Sequence, residues 1–524
     1  MKHHIALIAA LLLSPLAASR AADAVKGRPN IVFFLADDLR PDCLGILGHP
    51  IVKTPNVDKL VANGFIFRNA YVLGSNSGAV CTPSRTMIQT GQSYLRQNIT
   101  TPILAQTIRS GGYASIRSGK FGNGPKKMDD QFDVHLDGGP DGKVNADNII
   151  KFIGEQAGKK PLFLYMAGHE PHDPQFATEE YYQKYKATDI PMPVNFQPFH
   201  PFDNGEMTVR DERTLPWPRT KENVSGKLAR YYASTAYWDE QCGRVIAALK
   251  EAGQFDNTLF VVAGDNGLSL GEHGLLGKQN LYEFGGMHVP LIFAGPGISK
   301  GETKAFANLY DVYPTMCELS GIPVPPGLDA KSLAPVIHGK QAKVRDYLFS
   351  AYRDVQRSIR DDRWKLIRYP QVNVTQLFDL ESDPHEMQNL ADQPASADKV
   401  KELMALLEKA QPQFGDTCPL TVANPKPAAW TPDMVPSEPA PKKAQRKADP
   451  GKASATASAT PGRPKQDRNA IFDKLDDSKA GSFTLERYKV AFKGGKNLEQ
   501  TFKRLDVNGD GKVTREEFVA PPAK

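Results

Sequence analysis

Asn30-Ile31-Val32-Phe33-Phe34-Leu35-Ala36, followed at once by Asp37-Asp38, is the stretch on which the reading of the fold turns. Its apolar run shows no period-two alternation. Such a run describes a strand buried on both faces, as in a parallel sheet, with carboxylates at its carboxyl end. The pattern recurs along the chain. Tyr113 to Arg117 runs toward Gly119-Lys120-Phe121-Gly122, and Pro161 to Ala167 leads into Gly168-His169-Glu170-Pro171-His172. Thr258 to Ala263 ends in Gly264-Asp265-Asn266-Gly267, and Val289 to Ala294 is a further short strand closed by Gly295-Pro296-Gly297. Helices fall between them. One is opened by Thr54-Pro55-Asn56 and runs to Gly64, and a long one carries Tyr237, Val245, Ile246 and Leu249. Alternating strands and helices predict an α/β fold with a large, mixed but mostly parallel sheet flanked by helices. In such sheets sites form beyond the carboxyl ends of the strands, so Asp37, Lys120, His172 and Asp265 are expected to meet at one edge.

The second informative stretch is Val80-Cys81-Thr82-Pro83-Ser84-Arg85-Thr86-Met87-Ile88-Gln89-Thr90-Gly91. It reads as a helix that stops at Gly91. Proline is favoured at the first helical position, which puts Cys81 at or just before the N–H-rich end, where anions are favoured. Taken alone, Cys81 is a buried thiol beside a helix cap. Asp37, Asp38, Asp265 and Asn266 make an all-oxygen set that suits calcium or magnesium rather than zinc. With Arg85, Lys120 and Lys278 nearby, this is a pocket for a multiply oxygenated anion, able to stabilise the charge that develops in sulfuryl or phosphoryl transfer. A histidine such as His172 would protonate the leaving alcohol.

Composition excludes other classes. The formal charge of +6 invites a nucleic-acid reading, but seven basic residues and one acidic residue between Ala440 and Lys465 account for the whole excess. The remainder is balanced and offers no basic face for nucleic acid. Residues 1–22 read as a secretory signal peptide: Met1-Lys2-His3-His4, an apolar run from Ile5 to Ala18, then small residues through Ala22. That implies export, periplasmic or extracellular, with no transmembrane segment left after cleavage. Five cysteines (43, 81, 242, 317 and 418) are few and scattered, and the sequence does not decide whether any pair.

Past residue 345 the texture changes. Tyr347 to Ala351, Gln356 to Arg360, Trp364 to Tyr369 and Leu377-Phe378-Asp379-Leu380, with a helix from about Ala397 to Ala410, predict a small antiparallel α+β subdomain over 346–418. The catalytic domain is then 23–345. Residues 419–467, rich in Pro, Ala and Lys, read as a disordered, solvated linker. Residues 468–524 read as a helical pair of EF-hands. The loop from Asp506 has Asn508 and Asp510 at positions three and five, glycine at six, Lys512 to offer its carbonyl at seven, and Glu517 at twelve, and so is a calcium loop. Its partner from Asp476 keeps Gly481 but has Ala480 at five and Arg487 at twelve, so its calcium binding is expected to be weak or absent. Ile471, Phe472, Phe492, Phe502 and Phe518 are the expected core of this module.

Cys81-Thr82-Pro83-Ser84-Arg85-Thr86-Met87-Ile88-Gln89-Thr90-Gly91 resembles the first sulfatase signature across its length, and Gly112-Tyr113-Ala114-Ser115 through Gly119-Lys120 resembles the second. From about Asn30 to about Ala391, including Gly271-Glu272-His273-Gly274 and Phe378-Asp379-Leu380-Glu381, the chain is similar to type I, formylglycine-dependent sulfatases of the alkaline phosphatase superfamily, near the iduronate- and choline-sulfatase-like members. The resemblance implies that a formylglycine-generating, sulfatase-maturating enzyme converts Cys81 to formylglycine, whose hydrate binds the metal and attacks sulfur. It implies Asp37, Asp38, Asp265 and Asn266 as calcium ligands, Arg85 on the diol, Lys120 and Lys278 on the sulfate, and His172 at the leaving group. The implied substrate is a sulfated carbohydrate or a small sulfate ester. The family often has a histidine two or three residues after the lysine of the second signature. Here those positions are Gly122 and Asn123, so either His169 substitutes or that assistance is absent. Two other readings remain: a phosphonate or phosphodiester hydrolase of the same superfamily, and an exported, inactive calcium-dependent binding protein.

Overall fold

The computed structural model describes residues 27–434, apart from 97–100 and 126, and a discontinuous set between 472 and 519. The chain divides into two compact units, Met1–Glu438 and Pro439–Lys524. The signal-peptide residues 1–22, most of the linker, Ile471 and Phe492 lie outside the described residues.

The first unit is built on an eight-stranded sheet. In chain order its strands are β1 (Asn30–Ala36), β2 (Phe65–Tyr71), β4 (Ala114–Gly119), β5 (Val134–Leu136), β6 (Leu162–Ala167), β7 (Thr258–Gly264), β8 (His288–Ala294) and β9 (Gly301–Asn308), with β3 (Gly74–Ser75) belonging to a second sheet. The spatial order is β5-β4-β6-β1-β7-β8-β2-β9. All neighbours are parallel except β8, which runs antiparallel to both β7 and β2. β1 sits near the middle, between β6 and β7. Ile31, Phe33 and Leu35 face one hydrophobic cluster while Val32, Phe34 and Ala36 face the other, and all six are fully buried. Two buried faces explain the unbroken apolar run, because neither face is left to water. The Lys221–Glu251 helix covers one face with Leu228, Trp238 and Val245. β2 and β9 carry no strand signal of that kind in the sequence. β2 breaks its register beside both neighbours, and β9 keeps its first five residues at the surface, so neither reads as a continuous apolar run.

The Cys81 helix spans Cys81–Thr90 and ends at Gly91, whose φ of 63° is the left-handed cap that glycine tolerates. It begins at Cys81 itself, so Pro83 is its third residue rather than its first. The ring is still accommodated because a first-turn N–H has no intrahelical acceptor.

The second sheet has the order β13-β12-β11-β10-β3, with β10 (Leu348–Tyr352), β11 (Gln356–Arg360), β12 (Trp364–Tyr369) and β13 (Val374–Asp379) antiparallel. Its fifth strand, β3, comes from the loop just ahead of Cys81 and pairs parallel to β10. Phe349, Ile359, Leu366 and Leu377 share one cluster with Ile31 and Phe33, so the two sheets enclose a common core. The Ala397–Ala410 helix packs on this sheet through Leu403 and Leu407.

The expected linker does not begin at 419. Residues 419–434 lie along the first unit: Arg368 Nε donates to the Leu420 carbonyl at 2.8 Å, Lys426 N–H to Gln371 at 2.8 Å, and Asp203 N–H to Ala428 at 2.9 Å. Trp430 meets Trp217 edge to face at 5.6 Å. The richness of 419–467 in Pro, Ala and Lys predicts a solvated linker, but this strap finds its partners in loops far away in sequence.

In the second unit Ser482–Thr484 pairs antiparallel with Lys512–Thr514, and Phe472, Phe483, Phe502, Val513 and Phe518 form its core.

Gly74 makes the junction between sheets possible. Its φ is 134°, and a Cβ there would lie 1.7 Å from the Ala351 carbonyl oxygen. Gly74→Ala is expected to destabilise the first unit by about 3 kcal/mol or more, through overpacking against backbone and a left-handed φ. Thermal melting of the full chain measures this; an unchanged melting temperature would mean that β3 pairing is dispensable.

Candidate active site

The carboxyl ends of β1, β4, β6 and β7 bring the site together. The sheet ladder runs one residue past the end of β1 on both sides: Asp37 N–H donates to the Glu170 carbonyl and Asp265 N–H to the Ala36 carbonyl, each at 2.9 Å. Asp37 and Asp265 are thereby fixed by backbone pairing, the Asp38 N–H donates to Asp265 Oδ1 at 3.0 Å, and all three are fully buried with Asn266. Asp38 has a φ of 66°, unusual for a residue other than glycine. It is held there from the Lys221–Glu251 helix. The Tyr231 hydroxyl donates to the Asp38 carbonyl at 2.6 Å and accepts the Arg40 N–H at 2.9 Å.

Three cations face three carboxylates. Arg85 Nε donates to Asp265 Oδ2 at 2.7 Å, and its guanidinium lies 3.3 Å from Asp37 Oδ2. Lys120 Nζ is 2.7 Å from Asp37 Oδ2, and Lys278 Nζ is 2.6 Å from Asp38 Oδ1. Cys81 sits in their midst, 3% exposed. Its Sγ is 3.0 Å from Asp37 Oδ1, 3.7 Å from Asp38 Oδ1 and 2.9 Å from Lys278 Nζ. His172 completes the group, with Nε2 at 3.7 Å from Asp38 Oδ2 and Nδ1 at 2.7 Å from the Asp173 carbonyl.

The electrostatics follow from burial and these pairings. Burial pushes the Asp37 carboxyl up, but Arg85, His172, Lys120 and Lys278 together hold it well below the usual carboxylate range. Asp265 goes the other way, to about 6, because burial and the Asp37 charge outweigh Arg85. Burial, reinforced by Asp37, lifts the Cys81 thiol well above its ordinary value despite Lys278. The helix N-terminus therefore does not make Cys81 a thiolate.

The residues fit a hard divalent cation. Three buried carboxylates converge, and Asn266 supplies a further signal. Its Nδ2 donates to Asp38 Oδ1 at 2.7 Å and to the Gly267 carbonyl at 2.8 Å, which leaves Oδ1 buried with no partner among the described residues. A buried amide oxygen without a donor costs free energy unless something positive meets it. Asp37, Asp38, Cys81 and His172 present ligand atoms within 4.8 Å of one another.

A cavity of about 430 Å³ opens from Cys81, bounded by Lys120, Asn123, His172, Arg210, Asp211 and Lys278 among others. Asn123, the departure noted from sequence, lines it; His169 does not. The Thr82 hydroxyl donates to Asn123 Oδ1 at 2.7 Å, and the amide nitrogen has no partner. His169 is half-buried beside the cavity, and burial, then Lys120, push it down to about 4.

Several contributors left no readable signal in sequence. Glu212 accepts the backbone N–H groups of Leu276 and Gly277 at 3.0–3.1 Å and pairs with Arg219 at 2.7 Å, which fixes the chain entering Lys278. Gln279 donates to the Gly78 carbonyl and to Asp211. Glu212, Arg210 and Asp211 fall in a stretch without periodicity, and the N–H groups that Glu212 accepts and the amide that Asp211 accepts lie more than sixty residues away.

In the second unit the Asp506 loop is shaped around its acidic side chains. Asp506 accepts the N–H groups of Asp510 and Gly511 at 3.1 and 2.9 Å, Asp510 accepts that of Lys512 at 2.8 Å, and Glu517 accepts that of Asn508 at 3.3 Å. The Asp476 loop keeps the first part of this pattern, with Ala480 and Gly481 donating to Asp476 at 2.9 and 2.8 Å.

Comparison with known proteins agrees with this geometry. Residues 29–322 match the family model described as sulfatase, residues 271–413 the model of the N-sulphoglucosamine sulphohydrolase C-terminal region, and residues 498–520 an EF-hand model. The choline-sulfatase of Rhizobium meliloti is 27% identical, with 70% of this chain and 83% of that protein covered. The N-acetylglucosamine-6-O-sulfatase of Bacteroides thetaiotaomicron is 26% identical over 78% of this chain and 92% of that protein. The crystal structure of the phosphonate monoester hydrolase of Agrobacterium radiobacter superposes with a TM-score of 0.63 at 22% identity, covering 74% of this chain and 96% of that one, which places both in one fold. Among the described residues no helix is long and apolar enough to cross a membrane.

Tyr231→Phe leaves the Asp38 carbonyl and the Arg40 N–H buried without their shared partner. It is expected to cost about 1–3 kcal/mol of stability and to weaken divalent-cation binding at the Asp37–Asp38 cluster. Melting curves with and without calcium read both effects, and an equal calcium-induced shift in variant and wild type would contradict the role. In the second unit Glu517→Gln removes the bidentate closing ligand. Calorimetric titration of the full chain is expected to lose one calcium site, whereas Asp476→Asn changes nothing measurable.

Proposed function

The chain belongs to the sulfatase family and hydrolyses a sulfate ester, and from that premise we propose that its nucleophile is a formylglycine hydrate made from Cys81, working beside a calcium or magnesium ion. The observation that carries this reading is the setting of Cys81. A thiol kept protonated by burial and Asp37 is a poor nucleophile, and a soft sulfur is an ill match for a cluster of hard oxygen ligands. An oxygen at that position suits the cluster. Oxidation of the side chain to an aldehyde by a maturating enzyme would supply, as the hydrate, one hydroxyl to attack sulfur and a second whose deprotonation expels sulfate.

The remaining work falls to this chain's own residues. Asp37, Asp38, Asp265 and the free Oδ1 of Asn266 would hold the cation, and its charge would polarise the sulfate oxygens. Each of Lys120 and Lys278 now pairs with one of those carboxylates, so sharing the carboxylates with a dication frees both ammonium groups for the sulfate. Arg85, buried and anchored on Asp265, fixes the side of the pocket where the hydrate would lie. His172 is oriented by its Nδ1 contact to the Asp173 carbonyl, so Nε2 faces the cavity to give a proton to the departing alkoxide. Asn123 stands in the cavity where the family often has a histidine. Its amide hydrogen-bonds but accepts no proton at neutral pH, so it would orient the hydrate while a different base completes the second half. His169 does not take that part as it stands: it lies outside the cavity, and burial and Lys120 weaken it as a base.

The substrate class that fits is a sulfated carbohydrate or small sulfate ester. The apolar run Ile5 to Ala18 behind Lys2 supports export to the periplasm or outside. The second unit, with its calcium loop, is proposed as a structural or targeting module.

After expression with a maturating enzyme, mass spectrometry of the Cys81 peptide is expected to show the aldehyde in place of the thiol. Cys81→Ala is expected to abolish turnover of an aryl sulfate, Lys278→Ala to lower kcat about 100-fold or more, and chelation to remove activity that calcium restores. An active enzyme with an unmodified thiol would overturn the nucleophile. Faster turnover of an aryl phosphonate than of the sulfate would overturn the reaction class.

A further inference from the structure

We propose that the segment Val209–Asp211, with Asp173 and Gln279, reads the leaving group, and that it selects a neutral, hydroxyl-rich one: a sugar ring whose only anionic group is the sulfate that reacts. This deepens the sulfatase reading above and rests on it.

The position of the wall comes first. Asp173 directly follows His172, the residue placed at the leaving oxygen, and the cavity from Cys81 continues past His172 to Arg210 and Asp211. Arg210 is the centre of the wall. Its side chain is 62% exposed, so a ligand can reach it, yet it is firmly held. Its two terminal nitrogens meet the two Asp173 oxygens at 3.1 and 2.9 Å, and Nε and one terminal nitrogen reach Asp211 Oδ1 at 3.0 and 2.6 Å. Asp211 is fixed in turn by Gln279, whose Nε2 donates to Asp211 Oδ2 at 2.7 Å and to the Gly78 carbonyl at 3.0 Å. Both of those partners are acceptors only, so the orientation of this amide is determined.

The chemistry of the wall follows. A guanidinium set between two carboxylates presents donors and acceptors side by side on a rigid frame. Each sugar hydroxyl is itself donor and acceptor, so neighbouring hydroxyls match such a frame and extend the network already there. The charge balance narrows the choice further. Lys120, Arg210 and Lys278 are the cations that line the cavity, and each is already paired with carboxylate. Sharing Asp37 and Asp38 with a metal releases the two lysines to the reacting sulfate but does nothing for Arg210. Lys227 lies near Asp173 and Asp211, but its ammonium, which donates to the Thr214 hydroxyl at 2.9 Å, does not line the cavity. Burial pushes the Asp211 carboxyl up, yet Lys278, Gln279 and Arg210 hold it below the usual range, so it remains ionised. A second sulfate or a uronate at this wall would meet Asp173 and Asp211 with no unpaired lysine or arginine among the described residues that line the cavity. Finally, among the described residues no phenylalanine, tyrosine or tryptophan lines the cavity. A quaternary ammonium is recognised by aromatic faces, and an aryl group gains by stacking on them, so neither finds its partner here.

The test is steady-state kinetics of the matured, metal-loaded full chain on a panel of hexose and N-acetylhexosamine monosulfates, the same sugars with a second sulfate, choline sulfate and 4-nitrophenyl sulfate. The best monosulfated sugar is expected to exceed choline sulfate and the disulfated sugars in kcat/KM by about tenfold or more. Arg210→Ala and Asp211→Asn are expected to lower kcat/KM on that sugar at least about tenfold more than on 4-nitrophenyl sulfate, mostly through KM. Arg210→Lys, which keeps the charge but not the bidentate fork, is expected to give the same ordering and serves where the alanine variant melts early. Preference for choline sulfate or a disulfated sugar, or equal losses on sugar and aryl substrates, would overturn the assignment while leaving the sulfatase reading intact. Wild-type enzyme inert toward every sulfate ester would remove that reading and this one with it.

Discussion

The ion cluster around Cys81 is the constraint on which the rest of the first unit depends. Three carboxylates, Arg85 and Lys278 are packed out of contact with bulk water at the ends of β1 and β7, and a partly exposed Lys120 completes the group. Burying one such charge unpaired is prohibitive, and burying a pair is close to neutral only when the geometry is good. Formal charge here is balanced, yet the balance is imperfect. Asp265 is driven up to about 6 by burial and by Asp37, and the Asn266 oxygen faces no donor. Both signs point to positive charge in short supply. A dication placed among these carboxylates corrects that deficit, and the same act turns a neutral pocket into one that attracts an anion.

Much of the surrounding structure keeps those groups in place. Backbone pairing past the end of β1 sets Asp37 and Asp265. A tyrosine on a helix 31 residues long holds Asp38 in a left-handed conformation that aspartate seldom adopts. Glu212 clamps the backbone entering Lys278 by two N–H groups, and Arg219 satisfies what remains of that carboxylate. None of these residues touches the cavity centre, but each removes a freedom that a reacting group would otherwise have.

The legible part of this chain was the part governed by local rules. The apolar run of β1 announced a doubly buried strand, Gly91 announced a helix end, and polar residues after Asn30–Ala36, Ala114–Gly119, Leu162–Ala167 and Thr258–Gly264 announced where a site would gather. The parts that escaped depend on distant partners. β9 has five partly exposed residues at its start, so its only cue is pairing with β2. Residues 419–434 look like solvated linker because they share the proline- and alanine-rich composition of 419–467, whereas their backbone bonds go to loops around 203 and 371. Arg210 could not be told from any surface arginine, since its meaning lies in Asp173 on another loop. Asn123 was visible as a departure from a motif, but only its place beside Thr82 says what the amide can do.

The second sheet, finally, is part of the site's construction. β3 pairs with β10 six residues before Cys81, and the Ser75 hydroxyl then bonds the carbonyls of Ser77 and Ala79, so the turn into the Cys81 helix starts from a strand anchored in the second sheet. Gln356 on β11 donates to the carbonyls of both Asn204 and Gln279, at 3.1 and 3.0 Å. One buried amide thus joins the loop that carries the leaving-group wall to the loop that carries Lys278. Trp430 extends the same scaffold by packing on Trp217. A boundary near residue 345 is natural by sequence texture, because the elements change from long alternating units to short antiparallel strands. By packing it is no boundary, since the strand ahead of Cys81, the loop of Lys278 and the loop of Asn204 are each fastened to the strands that follow it.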